Sequence, residues 1–335
     1  MTFTHSRKCP APGGRSTLHA VTVMIGLLGC AGSASAMAAT ASAVEPQAPE
    51  SPMRLSLERS GAQCGVPVTA LPEPPAAAAQ RLPQSQAVHG NKNIRWAWLG
   101  SPTTRYAHAA LGSTVHAGSL HALVATTSGP MREVVYRLPG HRVFEDRVPR
   151  LVDLDGDGRD EILLVEADAV QGAAVVVLSV PHQQQGWVVM ARSPFAGAAF
   201  RWLNPVGVAD FDGDGRPDIA SVTTPHIGGV LTLYHFRPPQ LVPYAQWRDV
   251  SNHRYGDLEQ QLAVIVAQPG KRPAIIVPTL QYGALQAVRW TDAGGFETLT
   301  EPYRLASQVR RMTPLPDGGC LELEDASWWR VKLAS

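Results

Sequence analysis

Residues 153–161 read DLDGDGRDE, and residues 210–218 read DFDGDGRPD. The two stretches lie 57 residues apart, and each has acidic residues at positions one, three, five and nine and glycine at position six. An apolar segment follows each stretch. A motif that recurs at such a spacing indicates a repeat architecture, in which every copy belongs to one supersecondary unit.

The segments around the acidic stretches predict β-strands. From about residue 94 onward, short β-branched runs alternate with clusters of Gly, Pro, Asp and Asn, and no amphipathic helix of useful length is present. The predicted strands lie at 162–165, 174–178, 187–190, 229–234, 262–266, 274–277 and 287–290. The pattern therefore predicts an all-β fold.

The repeat length predicts a β-propeller of four-stranded blades over residues 91–335. A unit of about 50 residues with four strands is typical of a propeller blade. The units fit about 94–147, 148–195, 205–250, 261–300 and 309–333. We therefore expect about five blades, with six or seven as the alternative. Because the last unit has room for only three strands, the segment around 55–70 is expected to supply the fourth and to close the ring.

Two of the four cysteines fall in the part of the chain that we expect to fold. These are Cys64 and Cys320, near its start and its end, and an even pair in an oxidising compartment indicates one disulfide. Such a bond would join the N-terminal segment to the last unit, where the ring has to close. Two unpaired thiols are the alternative.

The acidic stretches predict two structural Ca²⁺ sites. Their carboxylates and the carbonyl of position seven are hard oxygen ligands, and the glycine at position six permits the turn that brings them together. The first site would use Asp153, Asp155, Asp157, the carbonyl of Arg159 and Glu161, and the second Asp210, Asp212, Asp214, the carbonyl of Arg216 and Asp218. An EF-hand is excluded because position twelve is Leu164 or Ser221. Plain acidic hairpin turns are the alternative.

The two acidic loops, each followed by an apolar strand, resemble the FG-GAP or VCBS-type repeat of integrin-α-like β-propellers, in the form that bacterial secreted proteins carry. The resemblance is specific over about residues 148–250 and weaker over 94–147 and 258–333. It implies a propeller whose blade loops carry Ca²⁺.

The N-terminal residues predict export from the cytoplasm. Residues 1–36 contain basic residues, an apolar stretch that is too short to span a bilayer, and a small-residue cleavage site that ends at Ala36. We expect a periplasmic or secreted protein after cleavage of this signal peptide. A lipobox-like sequence that ends at Cys30 offers the alternative of a lipid-anchored protein. Residues 37–90 are rich in Pro and Ala and predict a linker that is partly pinned near Cys64.

The charge of the chain argues against nucleic-acid binding. Its formal net charge is +1, and the three basic residues of the leader account for more than this, which leaves −2 for the mature chain. We expect a binding or scaffold module whose partner is an unknown protein or glycan ligand, with contact to a membrane only if Cys30 is lipidated. No catalytic residue is assigned.

Two other functions stay open at this stage. One is a glycan-active lyase or hydrolase built on a propeller, and the other is a structural envelope lipoprotein. An enzyme would bring polar side chains together in one pocket, and the candidates are Arg105, Tyr106, His108, His226, Arg254 and Tyr255. The tryptophans could line a carbohydrate-binding face, although packing in the core is their commoner fate.

Overall fold

A computed structural model describes residues 53–67, 72–126, 129–182 and 186–334 of the chain. The expected signal peptide at 1–36 and Cys30 lie outside the described residues. The all-β expectation is confirmed, because the described part of the chain contains 22 strands, two 3₁₀ turns and no α-helix. None of the helical segments in these ranges is long and apolar enough to cross a membrane.

The strands form five successive antiparallel units, which we number 1 to 5. Strand β1 (Arg54–Ser60) comes first in the chain but belongs to unit 5. Unit 1 contains β2 (Val88–His89), β3 (Ile94–Thr103), β4 (His116–Val124) and β5 (Arg132–Arg137). After the short strand β6 (Arg142–Phe144), unit 2 contains β7 (Arg150–Val152), β8 (Glu161–Asp168), β9 (Gly172–Ser179) and β10 (Val188–Arg192).

The remaining three units repeat the same meander. Unit 3 contains β11 (Leu203–Ala209), β12 (Asp218–Thr223), β13 (Val230–Arg237) and β14 (Gln240–Arg248). Unit 4 contains β15 (Val264–Gln268), β16 (Lys271–Pro278), β17 (Ala284–Thr291) and β18 (Gly295–Thr298), and the short β19 (Tyr303–Arg304) also pairs with β17. Unit 5 contains β20 (Val309–Leu315), β21 (Gly318–Leu323), β22 (Trp328–Ala334) and β1.

Units 1 to 3 are connected into one continuous sheet at their edges. Strand β6 pairs with β4 of unit 1 and with β8 of unit 2, and β10 meets β14 through a single parallel pair, Arg192 with Gln240. The middle strands of unit 2 are buried along their whole length, since all eight residues of β8 and all eight of β9 are buried. Continuous burial of this kind explains the unbroken apolar runs at 162–165 and 173–178, because both faces of the strands are covered.

Apolar clusters fill the spaces between consecutive units. Four of the clusters each draw buried side chains from two neighbouring units: 1 with 2, 2 with 3, 3 with 4, and 4 with 5. A fifth, smaller cluster contains Ala78, Trp96 and Trp98, where the 3₁₀ turn Ala76–Gln80 packs against unit 1. The core is therefore a series of interfaces between sheets, as in other repeat proteins.

The N-terminal strand completes the last unit. Strand β1 pairs antiparallel with β22 over seven residue pairs, from Arg54 with Ala334 to Ser60 with Trp328. Directly after β1, Cys64 is bridged to Cys320 on β21, and their Cα atoms are 5.7 Å apart. The sequence predicted both features. Strand β1 and the two 3₁₀ turns lie within the segment 37–90, which we expected to be a linker partly pinned near Cys64.

A cavity of about 890 Å³ is lined by residues from all five units. The lining comes from the segments that open each unit: Gln84 and Gln86 before β2, Val148 and Arg150 at β7, Val206 and Gly207 on β11, Asp257 to Gln261 before β15, and Arg310 and Arg311 on β20. The segments that open the five units thus converge on one space, which Arg147 and Glu324 also border.

Loss of the disulfide should destabilise the protein. The bond spans 256 residues, and the chain-entropy model gives about 5 kcal/mol for a closed loop of this size. We expect the double variant Cys64→Ser, Cys320→Ser to lose about 2–5 kcal/mol in urea unfolding at equilibrium. Equal stability of oxidised wild type, reduced wild type and the double variant would contradict the prediction.

Candidate metal centres

The two acidic loops occupy equivalent places in neighbouring units. The first connects β7 to β8 in unit 2, and the second connects β11 to β12 in unit 3. In both, the position-one carboxylate accepts two backbone N–H groups. Asp153 accepts from Gly156 and Gly158 at 2.9 and 3.0 Å, and Asp210 accepts from the matching glycines at 2.7 and 3.0 Å. The backbone of each loop therefore folds around the first aspartate.

The other acidic positions repeat the pattern in both loops. The carboxylates of Asp155 and Asp212 accept the N–H of position five, and those of Asp157 and Asp214 accept the N–H of position seven, Arg159 or Arg216. Position nine is the first residue of the following strand, and its carboxylate accepts the N–H of position two. These bonds fix the acidic side chains at positions one, three, five and nine against the backbone of their own loop.

Two glycines per loop make this backbone path possible. Gly156 and Gly158 have φ of 76° and 84°, and Gly213 and Gly215 have 76° and 83°. Side chains with a Cβ are disfavoured in this left-handed region. From the sequence we assigned a role to the glycine at position six, but the glycine at position four is equally required. The D-G-D-G spacing, which repeats in both loops, could have indicated the role of the second glycine.

Three carboxylates in each loop are close enough to share one cation. Oxygens of Asp153, Asp155 and Glu161 lie within 4.8 Å of one another, and so do those of Asp210, Asp212 and Asp218. Asp214 forms a further group of this kind with Asp212 and His235. Asp157 is part of no such group among the described residues, so its carboxylate would have to turn inward to reach a metal.

The acids at position nine are the buried members of the sites. Glu161 and Asp218 are both 1% exposed. Burial, together with the nearby charges of Asp155 and Asp157, raises the pKa of Glu161 to about 7. Burial also raises the pKa of Asp218. A cation bound in the loop would offset the cost of keeping these carboxylates ionised.

Basic and aromatic side chains from other parts of the chain surround the loops. The ammonium of Lys92 donates to Asp153 at 2.9 Å and lowers the pKa of that carboxyl, and Arg237 does the same for Asp214 at 3.1 Å. In the second loop Asp218 also accepts from Tyr244 Oη at 2.8 Å and from His235 Nδ1 at 3.1 Å. Sequence reasoning missed these residues because they reach the loops through strand pairing and not through local spacing.

The donor set fits Ca²⁺. All the groups that the first loop offers are carboxylate or carbonyl oxygens, which Ca²⁺ prefers, and thiolate is absent from both. The loops have no helix on either side, so the arrangement is distinct from an EF-hand. The positive charge of a bound ion would stabilise the acidic turn. It would thereby also fix the first and second strands of the unit, which the turn connects.

The sequence of this region matches a known family of repeats. Residues 153–221 match the model of the FG-GAP-like repeat, a range that begins at the first loop and ends within β12, after the second loop. Residues 153–221 therefore contain an FG-GAP-like repeat. No curated protein shows significant similarity to it.

A second cluster joins four of the six side chains that the sequence singled out as candidates for a polar pocket. The ring of His108 lies 6.1 Å from that of Tyr106 and 6.0 Å from that of Tyr255, and the ring of His226 lies 5.3 Å from Tyr255. Arg254 borders the same depression as His226 and Tyr255. Arg105 is not part of the cluster, because its guanidinium donates to the carbonyl of Arg142. We name this group, together with Phe200, the histidine cluster.

The buried histidines of this region should make stability depend on pH. Burial lowers the pKa of His116 to about 4 and that of His253 to about 3. In the unfolded chain both titrate near 6.5, so below that pH the unfolded state binds more protons and the free energy of unfolding falls. Each histidine should contribute a slope of about 1.4 kcal/mol per pH unit between about pH 6.5 and 4, and the contribution is complete above pH 6.5.

The measurement is urea unfolding at pH 7, 6 and 5 for wild type and for the variant His116→Gln, His253→Gln. Glu145 and Glu161 have raised pKa values and act in the opposite direction, so the readout is the difference between the two proteins. The variant should lose less stability on acidification than wild type. Parallel pH profiles would show that the histidines are not neutral in the folded state.

Proposed function

We propose that this chain is a Ca²⁺-stabilised β-propeller of five blades that acts as a binding or scaffold module outside the cytoplasm. The observation that carries the proposal is the duplicated acidic loop, which has the same hydrogen bonds and the same glycine conformations in two adjacent units. FG-GAP repeats are generally non-catalytic binding modules, and we assign no catalytic step.

A closed ring of five blades accounts for the strand arrangement. Each unit is a four-stranded antiparallel meander, and residues on or just before the first strand of each unit line one cavity, as a central channel would require. The pairing of β1 with β22 supplies the missing strand of unit 5. In a propeller this mixed last blade connects the two ends of the chain, and the Cys64–Cys320 bond would hold it shut.

The metal would stabilise the folded turns and would take no part in a chemical reaction. Each loop gathers at least four acidic residues on a short turn, and their mutual repulsion would loosen it without a cation. Lys92 pairs with Asp153 and Asp160 in the first loop and Arg237 pairs with Asp214 in the second, so neither basic residue compensates a whole loop. Bound Ca²⁺ would fix both turns, and with them the edges of units 2 and 3, so that the neighbouring loops keep one conformation for a partner.

The disulfide and the leader together support a location outside the cytoplasm. Disulfides persist in the periplasm and in the extracellular medium and are rare in the reducing cytosol. The basic, apolar and small-residue regions of residues 1–36 are those of an export signal. We propose cleavage after Ala36, with lipidation of Cys30 as the alternative that would make the protein an envelope lipoprotein.

Calcium binding should be measured by calorimetry and by thermal unfolding. We expect wild type to bind two Ca²⁺ ions, and its melting temperature to fall when a chelator is added. For binding to the folded state alone, Ca²⁺ at a hundred times the dissociation constant adds about 2.7 kcal/mol of stability. The variants Asp155→Asn and Asp212→Asn keep a side-chain oxygen for the loop hydrogen bond but lose one charge, so each should bind one ion less tightly or not at all.

The control for these variants is Glu301→Gln, which changes an exposed acid that lies outside both loops. It should behave as wild type. A double loop variant that still binds two ions, or a wild-type melting temperature that the chelator leaves unchanged, would mean that the loops are plain acidic turns.

The location can be tested by mass spectrometry of the mature protein after cell fractionation. A chain that begins at residue 37 in the periplasm or medium supports the proposed processing. A diacylglyceryl group on Cys30 at the new N-terminus supports the lipoprotein alternative. A full-length chain in the cytosol contradicts both.

A further inference from the structure

Two aromatic rings of the histidine cluster are exposed at the surface. Phe200 is 53% exposed and Tyr255 is 60% exposed, and both lie in connections between units. Their ring centroids lie 5.5 and 6.0 Å from that of His108, so the two rings flank the histidine. Large exposed aromatic side chains that are grouped in this way mark binding surfaces more often than isolated ones do.

The backbone of Phe200 has an unfavourable conformation. Its φ is 63°, in the left-handed region that bulky residues rarely adopt. The conformation is held by its N–H, which donates to Tyr106 Oη at 2.8 Å, and by the contact of its ring with that of Tyr106 at 5.2 Å. Glycine would adopt this φ without strain. Residues with a strained backbone are concentrated at functional sites, where function requires the side chain to have that position.

A buried glutamate orients His108 between the two rings. Glu145 is fully buried, and its Oε1 accepts a hydrogen bond from Nδ1–H of His108 at 2.6 Å. Its other oxygen, Oε2, has no hydrogen-bond partner among the described residues. A carboxylate can only accept, so the bond places a proton on Nδ1, and the neutral form of the ring then presents Nε2 as an acceptor. No described protein group pairs with that Nε2.

His226 presents a second acceptor next to Tyr255. Nε2–H of His253 donates to the carbonyl of Asp257 at 3.0 Å, so its Nδ1 accepts from Nε2–H of His226 at 2.9 Å. This chain of bonds leaves Nδ1 of His226 as an acceptor. Burial lowers the pKa of His226 to about 4, which keeps the ring neutral at physiological pH. The rings of His226 and Tyr255 are 5.3 Å apart.

We propose that Phe200, Tyr255, His108 and His226 form a binding site for a neutral saccharide. The exposed aromatic rings would pack against the C–H faces of a pyranose, and the two imidazole acceptors would receive hydrogen bonds from its hydroxyl groups. This proposal rests on the proposed binding role and names the class of ligand. It does not depend on the Ca²⁺ sites, which lie in the turns between the first and second strands of units 2 and 3.

The hydrogen-bonding character of the site favours a hydroxyl-bearing ligand over an ion. An anion would need donors, but the free ring nitrogens of His108 and His226 are acceptors. The nearby guanidinium of Arg254 already pairs with Glu324 and with the carbonyl of Val309. A quaternary ammonium is bound by aromatic faces that have no need of neutral acceptors, and it would leave both imidazoles unpaired.

The test is isothermal titration of the full mature chain with four probes: cellohexaose, maltohexaose, chitohexaose and choline. Trp202 stacks on His226 with a centroid distance of 5.8 Å, so its fluorescence gives a second readout of binding at this site. We expect at least one of the three oligosaccharides to bind and to change this fluorescence. Binding of choline alone, or of none of the four probes, overturns the proposal.

The variants separate binding from folding. Phe200→Gly should melt at the same or a higher temperature, because glycine relieves the left-handed strain, and should bind the saccharide at least tenfold more weakly. Tyr255→Ala and His108→Phe should weaken binding by a similar factor. The control is Tyr303→Ala, which removes a 41% exposed tyrosine of unit 4 and should bind as wild type does. Unchanged affinity in Phe200→Gly and Tyr255→Ala would place the saccharide elsewhere and overturn the proposal.

The two proposals fail in different measurements. If the Ca²⁺ proposal is wrong, the chelator leaves the melting temperature unchanged while saccharide titration of the same protein still shows binding. If the saccharide proposal is wrong, the heat of saccharide binding is absent at every Ca²⁺ concentration, whatever the metal does to stability.

Discussion

A sheet that is apolar on both faces must be covered on both faces, and this constraint governs the fold. The eight residues of β8 and the eight of β9 are all buried, so unit 2 cannot be stable without units 1 and 3 against it. Burial of a Val, Leu or Ile side chain contributes about 1.5–3 kcal/mol. Each unit in the series needs its neighbours to cover its apolar faces in the same way. At the end of the series β1 joins unit 5, and the Cys64–Cys320 bond holds β1 in place.

The acidic loops obey a second constraint, which comes from their backbone. Each turn has several N–H groups with no strand partner, and the aspartates accept them in place of a sheet ladder. Three of the carboxylates that satisfy the backbone in each loop are also the ones whose oxygens lie within reach of one another. Folding of the turn and assembly of an oxygen-rich site are one process, which explains why the same residue types recur at the same positions in both loops.

Much of the fold could be predicted from the sequence, because its signals are local. Strand runs, turn glycines and the duplicated loop are read within a few residues, and the strand count of unit 5 pointed to an N-terminal partner for β22. Lys92 and His235 could not be predicted at the loops, since they arrive by pairing between strands whose register the sequence does not show. Phe200 was missed for another reason, because a left-handed φ at a bulky residue is set by tertiary contacts and has no sequence signature.

The pairing of β1 with β22 has a consequence for how the protein is made. Arg54 and Ala334 are neighbours in the sheet, yet the ribosome produces Arg54 long before Ala334. Units 1 to 4 contain all their own strands, but unit 5 can form only after β22 has been synthesised. Until then β1 lacks the strand with which it pairs. A pairing between segments so distant in the sequence costs more loop-closure entropy than a local hairpin, so we expect unit 5 to be the last unit to assemble.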